Sequence, residues 1–147
     1  MTRLAAVRPW LPALLYMGVI WAISSLDVPE LPLRGIPMRD KLVHSLEYAV
    51  LGVFVAHASA RTWPRHHVLR LFAFSALATF AWGVLDEIHQ AFVPSRSADI
   101  LDLAADTLGA LLGPVPRLLR HARRAGPTAR NLEPANDPSL TREPMRE

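Results

Sequence analysis

Cysteine is absent from the 147 residues, which removes disulfides, iron–sulfur clusters and thiol catalysis from consideration. Lysine is nearly absent. The 16 basic residues include a single lysine, Lys41, and the rest are arginine. Charged residues make up only 20% of the chain and aromatic residues 7%. Hydrophobic residues, by contrast, account for 51%, yet mean hydropathy is only +0.19. That average combines two regimes. Residues up to about 119 are mostly apolar, whereas the stretch 121–147 carries Pro127, Pro134, Pro138 and Pro144 among mixed charges. It buries too little apolar surface to offset its ordering entropy and is expected to be a disordered cytoplasmic tail. Residues 1–120 are expected to form one transmembrane domain, the length leaving no room for a second.

The expected fold class is all-α, an integral membrane bundle of about four transmembrane helices. The first apolar run covers 10–26, follows Arg3 and Arg8, and has Pro9 and Pro12 where a first helical turn tolerates them. A cleaved signal peptide is the rival reading, since Ala22-Ile23-Ser24 resembles a cleavage site. Trp10, Tyr16 and Trp21 favour a retained helix with interfacial anchors. Prolines and Gly35 keep 27–39 out of a helix. The second run, 40–60, opens on Asp40 as expected N-cap. A basic connector with Pro64 precedes the third run, 68–92. After a turn at Pro94 comes the fourth, 99–119, which carries Asp102 and Asp106. Each costs about 2.5–3.5 kcal/mol near a helix centre on insertion scales, so this run needs partner helices. Gly109 and Gly113 form a small-xxx-small pair suited to close packing.

Arginine placement sets the expected orientation. Arg3 and Arg8, then Arg61, Arg65 and Arg70, then Arg117, Arg120, Arg123 and Arg124 fall on one side of a four-span chain. The positive-inside rule makes that side cytoplasmic, N-in and C-in, in a multi-pass cytoplasmic (inner) membrane protein. A pI near 10.2 also suits nucleic acid, but arginines at the ends of apolar runs meet anionic lipid headgroups, so nucleic acid is not the expected partner.

The ionisable residues within the runs converge. Asp40, His44, Glu47 and Tyr48 share a face of the second helix near its outer end. Asp86, Glu87, His89 and Gln90 close the third run, and Asp99, Asp102 and Asp106 share a face of the fourth. Asp40 and Asp99 read first as caps, Lys41 as a snorkelling side chain, and Tyr48 alternatively as a packed aromatic. The buried carboxylates need protons, cations or arginine partners, and Arg96 is the nearby counter-charge.

Asp40-Lys41-Leu42-Val43-His44 with Glu47-Tyr48 and Leu51-Gly52 resembles the first motif of the VanZ-like membrane family. Asp86-Glu87-Ile88-His89-Gln90 with Phe92-Val93-Pro94 and Arg96 resembles its second, and Asp102, Asp106, Gly109-Ala110 and Gly113 its third. Ser95 stands where glycine is common, and Asp106 where asparagine is frequent. The resemblance implies a bacterial multi-span membrane protein, and the family's named member is associated with low-level teicoplanin resistance.

Three functions follow as expectations. The first is an outer-leaflet site for a membrane lipid or lipid-linked cell-wall precursor. There His44, Asp86, Glu87 and Asp102 would act as acid/base groups, while Asp40, Glu47, Tyr48, Gln90, Arg96 and Asp106 bind. A divalent cation on His44 and the carboxylates would neutralise the cluster, although no recognised metal spacing or cofactor motif is present. The second is a proton- or ion-coupled carrier or channel subunit, weakened because the inner-leaflet stretches read Val53-Phe54-Val55 and Phe72-Ala73-Phe74. The third is a polar network that only holds the helices together. Oligomeric state has no signature in the sequence.

Overall fold

The computed structural model describes residues 7–26, 38–94 and 98–124, all helix or short turn. A 3-10 turn, Arg8–Trp10, leads into α1, Leu11–Ser24. Then come α2, Arg39–Thr62, α3, Val68–Gln90, α4, Ile100–Leu112, and α5, Pro114–Arg124. The first three helices match the expected apolar runs to within a few residues.

The helix ends follow local chemistry. The ring of His67 accepts the Leu69 N–H at 3.3 Å, starting α3, and Asp99 caps α4 by accepting the Leu101 N–H at 2.9 Å. Asp40, expected to cap α2, does not. The cap position is Met38, held in the left-handed region at φ 56°, and Asp40 sits inside the first turn. There its charge still complements the positive helix end. The expected fourth run divides at Gly113, because Pro114 has no N–H for the ladder and its ring crowds the preceding turn. Helix α5 then runs to Arg124, beyond the expected end at 119, so residues 121–124 are helical. The remainder of the expected tail, 125–147, and the loop 27–37 lie outside the described residues.

Helices α1 and α3 end, and α2 and α4 begin, at one end of the bundle, where Ser24 meets Asp86 and His44 meets Asp106. At the opposite end the Trp10 indole donates to Thr62 at 2.9 Å, and Trp10 and Trp63 both pack edge-on against Phe74. Arg117 Nε lies 3.4 Å from His57 there. The core runs between these ends through Ala13, Ile20, Tyr48, Leu51 and Val55, then Ala56, Ala60, Leu71 and Leu118.

Backbone contact between α2 and α4 is close because glycines line it. A Cβ on Gly109 would strike Ser45 O, and one on Gly113 would strike Ala49 O. A Cβ on Gly52 would come within 2.9 Å of the Pro114 ring. This is the packing role expected of Gly109 and Gly113.

The outer surface is apolar on α1, α2, α3 and α4: Leu15 is 70% exposed, Leu46 68%, Leu77 67% and Leu108 51%. Water disfavours such a belt; hydrocarbon does not. By length and composition, two helices among the described residues can cross a membrane, α2 with 24 residues and α3 with 23. At 1.5 Å per residue each reaches about 35 Å, enough for a core of about 30 Å. Helix α1 has 14 residues and α4 13, so neither alone matches that length.

Candidate functional site

Four helices deliver polar side chains to the same end of the bundle. Since α1 and α3 arrive there while α2 and α4 depart, residues near alternate termini meet at one level. The set divides into three connected groups.

The first is a lysine clamp. Lys41 Nζ donates to Asp99 Oδ2 at 2.6 Å and to Asp102 Oδ1 at 2.5 Å, and lies 3.2 Å from Asp40. Only 14% of its side chain is exposed. Lys41 was expected to snorkel to the interface; instead it turns inward, because α4 presents two carboxylates one helical turn apart. Lys41 donating to Asp99 holds that carboxyl below its usual range. Asp40 is 60% exposed and stands at the rim of this group.

Deeper in the bundle lies a histidine–carboxylate group. His44 Nδ1 is 3.1 Å from Asp106 Oδ1, and its Nε2 is 3.8 Å from Asp102 Oδ1. Glu87, brought in by α3, accepts the Asp99 N–H on Oε2 at 2.9 Å. Donor atoms of His44, Glu87 and Asp106 lie within 4.8 Å of one another. Asp106 is fully buried and Glu87 nearly so. Asp106 Oδ2, Glu87 Oε1 and the Tyr48 hydroxyl have no hydrogen-bond partner among the described residues. Gly83 on α3 makes room here: a Cβ would meet Tyr48 Cε1 at 3.2 Å and Asp106 Oδ2 at 3.4 Å.

The third group joins α1 to α3. Ser24 donates to Asp86 Oδ2 at 2.8 Å, and Gln90 donates to the same oxygen at 3.0 Å. Ser25 lies 2.8 Å from His89 Nε2, and Trp21 stacks on the His89 ring at 4.0 Å. Trp21 therefore packs on the bundle rather than serving only as an interfacial anchor. Asp86 Oδ1 has no partner among the described residues.

Of the residues singled out in the sequence, His44, Asp86, Glu87, Gln90, Asp102 and Asp106 come together in these groups, with Asp40 at the rim. Tyr48 packs beneath them as a buried aromatic whose hydroxyl has no partner among the described residues. Glu47 is half-buried, and none of the cluster's hydrogen bonds among the described residues reaches it. Arg96 lies outside the described residues. Ser24, Ser25 and the inward turn of Lys41 were not anticipated as parts of the site, and His89 was placed with the converging residues but given no role. The helical spacing of Asp99 and Asp102, facing the only lysine, was the available signal for Lys41. No local pattern marks Ser24, which matters only because α1 ends beside α3.

Below the cluster, towards the arginine-bearing end, the polar side-chain atoms buried among the described residues are mainly small hydroxyls and the Trp82 indole nitrogen. Ser59 and Ser75 lie 3.1 Å apart, and buried Thr79 Oγ1 has no partner among the described residues.

An all-helical bundle with an apolar outer belt and an acidic, histidine-containing cluster at one end defines the class: a membrane-type helical protein with its polar chemistry concentrated at one pole. The VanZ/LLP1 family model matches residues 10–116, and the chain belongs to that family. No curated protein and no solved structure matches it. Family membership and the two apolar helices together support a membrane protein.

Proposed function

We propose that this VanZ/LLP1 protein is a multi-span protein of the bacterial cytoplasmic membrane whose polar end opens to the outer leaflet. There it binds or acts on the headgroup of a cell-envelope lipid or lipid-linked cell-wall precursor. The observation that carries this reading is the convergence of polar side chains from α1, α2, α3 and α4 on one end of an otherwise apolar bundle. Intramembrane carboxylates are costly, and as structural glue they return little, about 0.6 kcal/mol per interhelical polar contact. A ligand that uses them is the better account.

Orientation rests on the arginines. Arg61, Arg65 and Arg117 stand at the end opposite the cluster, and the positive-inside rule assigns that end to the cytoplasm. His44 between Asp102 and Asp106 supplies the proton-transfer capacity, and the lysine clamp the charge contacts. Glycopeptide tolerance is the phenotype to examine first.

The test is complementation. In a strain lacking the protein, the wild type restores the envelope phenotype, scored as glycopeptide susceptibility and lipid headgroup composition. His44→Ala and Glu87→Gln variants, inserted at wild-type levels, do not. Restoration by both variants would remove the cluster from function, and failure of both to insert would favour a structural network.

A proton-coupled carrier is the second reading, favoured by Thr79, Ser75 and Ser59 continuing a polar line into the bundle. Proton flux in proteoliposomes that is lost in Thr79→Val would support it.

A further inference from the structure

We propose that His44, Glu87 and Asp106 form a binding site for one divalent cation of the manganese or zinc type. This inference goes beyond headgroup recognition and does not depend on it.

The three side chains come from α2, α3 and α4, so no spacing in the sequence announces them as a ligand set. Their donor atoms nonetheless lie within 4.8 Å of one another. Bonds of about 2.0–2.2 Å put opposite ligand atoms of a six-coordinate ion about 4.0–4.4 Å apart and adjacent ones nearer, so these side chains need to close by less than about 1 Å to share one ion. The 3.1 Å between His44 Nδ1 and Asp106 Oδ1 suits an adjacent pair. One imidazole with two carboxylates is a donor set for manganese or zinc rather than for a soft, thiolate-bound metal.

Independent of proximity is the state of the oxygens. Asp106 is 0% exposed and Glu87 6%, yet Asp106 Oδ2 and Glu87 Oε1 have no partner among the described residues. Each carboxylate's other oxygen has a protein neighbour, Asp106 Oδ1 facing His44 Nδ1 and Glu87 Oε2 accepting the Asp99 N–H, and a cation between His44 and Asp106 would replace the first of these contacts. Two buried acids with a free oxygen apiece carry a large desolvation cost, and one divalent cation cancels both charges. The chain's single lysine does not serve here, since Lys41 is occupied by Asp99 and Asp102.

The surroundings fit a ligating histidine. When one ring nitrogen of His44 binds the cation, the other faces a carboxylate, the pattern that orients metal-bound imidazoles. Gly83 keeps the volume beside Asp106 clear.

The test uses the full chain purified in detergent, stripped with chelator and re-equilibrated with manganese or zinc. Metal analysis should find about one ion per chain, and spin-echo spectroscopy of the manganese form should show coupling to an imidazole nitrogen. His44→Ala and Asp106→Asn should each weaken binding by more than about tenfold. The nitrogen coupling is read on the wild type, so variants that misfold do not remove the test. Failure of the stripped wild type to retain either ion would overturn the proposal, as would manganese bound without nitrogen coupling. Either failure leaves headgroup recognition to be judged by complementation.

Discussion

Asp99 joins three helices through separate atoms: its Oδ1 caps α4, its Oδ2 accepts from Lys41 on α2, and its N–H donates to Glu87 on α3. Because Lys41 holds the Asp99 carboxyl below its ordinary value of 3.8, the ionised form is favoured by the folded state. The stability it contributes is fully present above that ordinary value and is lost as pH falls through the lower, folded-state value. Asp99→Asn is therefore expected to melt at a lower temperature than wild type at neutral pH. The difference should shrink on acidification below 3.8, read by thermal melting in detergent. A difference independent of pH would mean that the charge does not carry the effect, since asparagine keeps the cap acceptor. At this scale the sequence was a good guide to which carboxylates gather and a poor one to their partners. His44, Asp102 and Asp106 were legible from helical spacing alone. Lys41 was misread because snorkelling depends on what faces the side chain, and that comes from a helix 58 residues away.

The pairing of α2 with α4 depends on missing side chains. Gly109→Ala places a methyl group against the Ser45 carbonyl and the Ala49 amide, neither of which can move without shifting the helix. Overpacking of this kind costs roughly 1–3 kcal/mol. It also separates His44 from Asp106, since both lie within two turns of the contact. The expected outcome is a lower melting temperature together with loss of complementation. Gly18→Ala, where a Cβ would meet nothing within 4 Å, should retain complementation and not lower the melting temperature. Hydrophobic runs gave the helices, because a span of apolar residues bounded by prolines has few alternatives. Boundaries were less legible where backbone geometry decides them: Met38 starts α2 in a left-handed conformation, and Pro114 divides the last run.

For the whole molecule, the polarity of the bundle is the feature with most consequence. Among the described residues the buried acidic groups gather at one end and most of the arginines, Arg61, Arg65, Arg70 and Arg117 among them, stand at the other, an arrangement the chain produces by alternating helix direction. The absence of native cysteine makes single-cysteine reporters clean. Phe92→Cys, at an 82% exposed position beside the cluster, should react with a membrane-impermeant maleimide in intact cells. Arg65→Cys should react only after lysis. The reverse pattern would invert the orientation and place the cluster at the inner leaflet. The most direct measurement of the central claim is the lipid that the protein keeps. Wild type and a His44→Ala variant, purified in the same mild detergent, are compared by mass spectrometry of bound lipid. We predict that the wild type retains one headgroup class enriched over the bulk membrane and that the variant loses this enrichment. Identical lipid profiles in the two proteins would contradict a headgroup site at the polar end of the bundle.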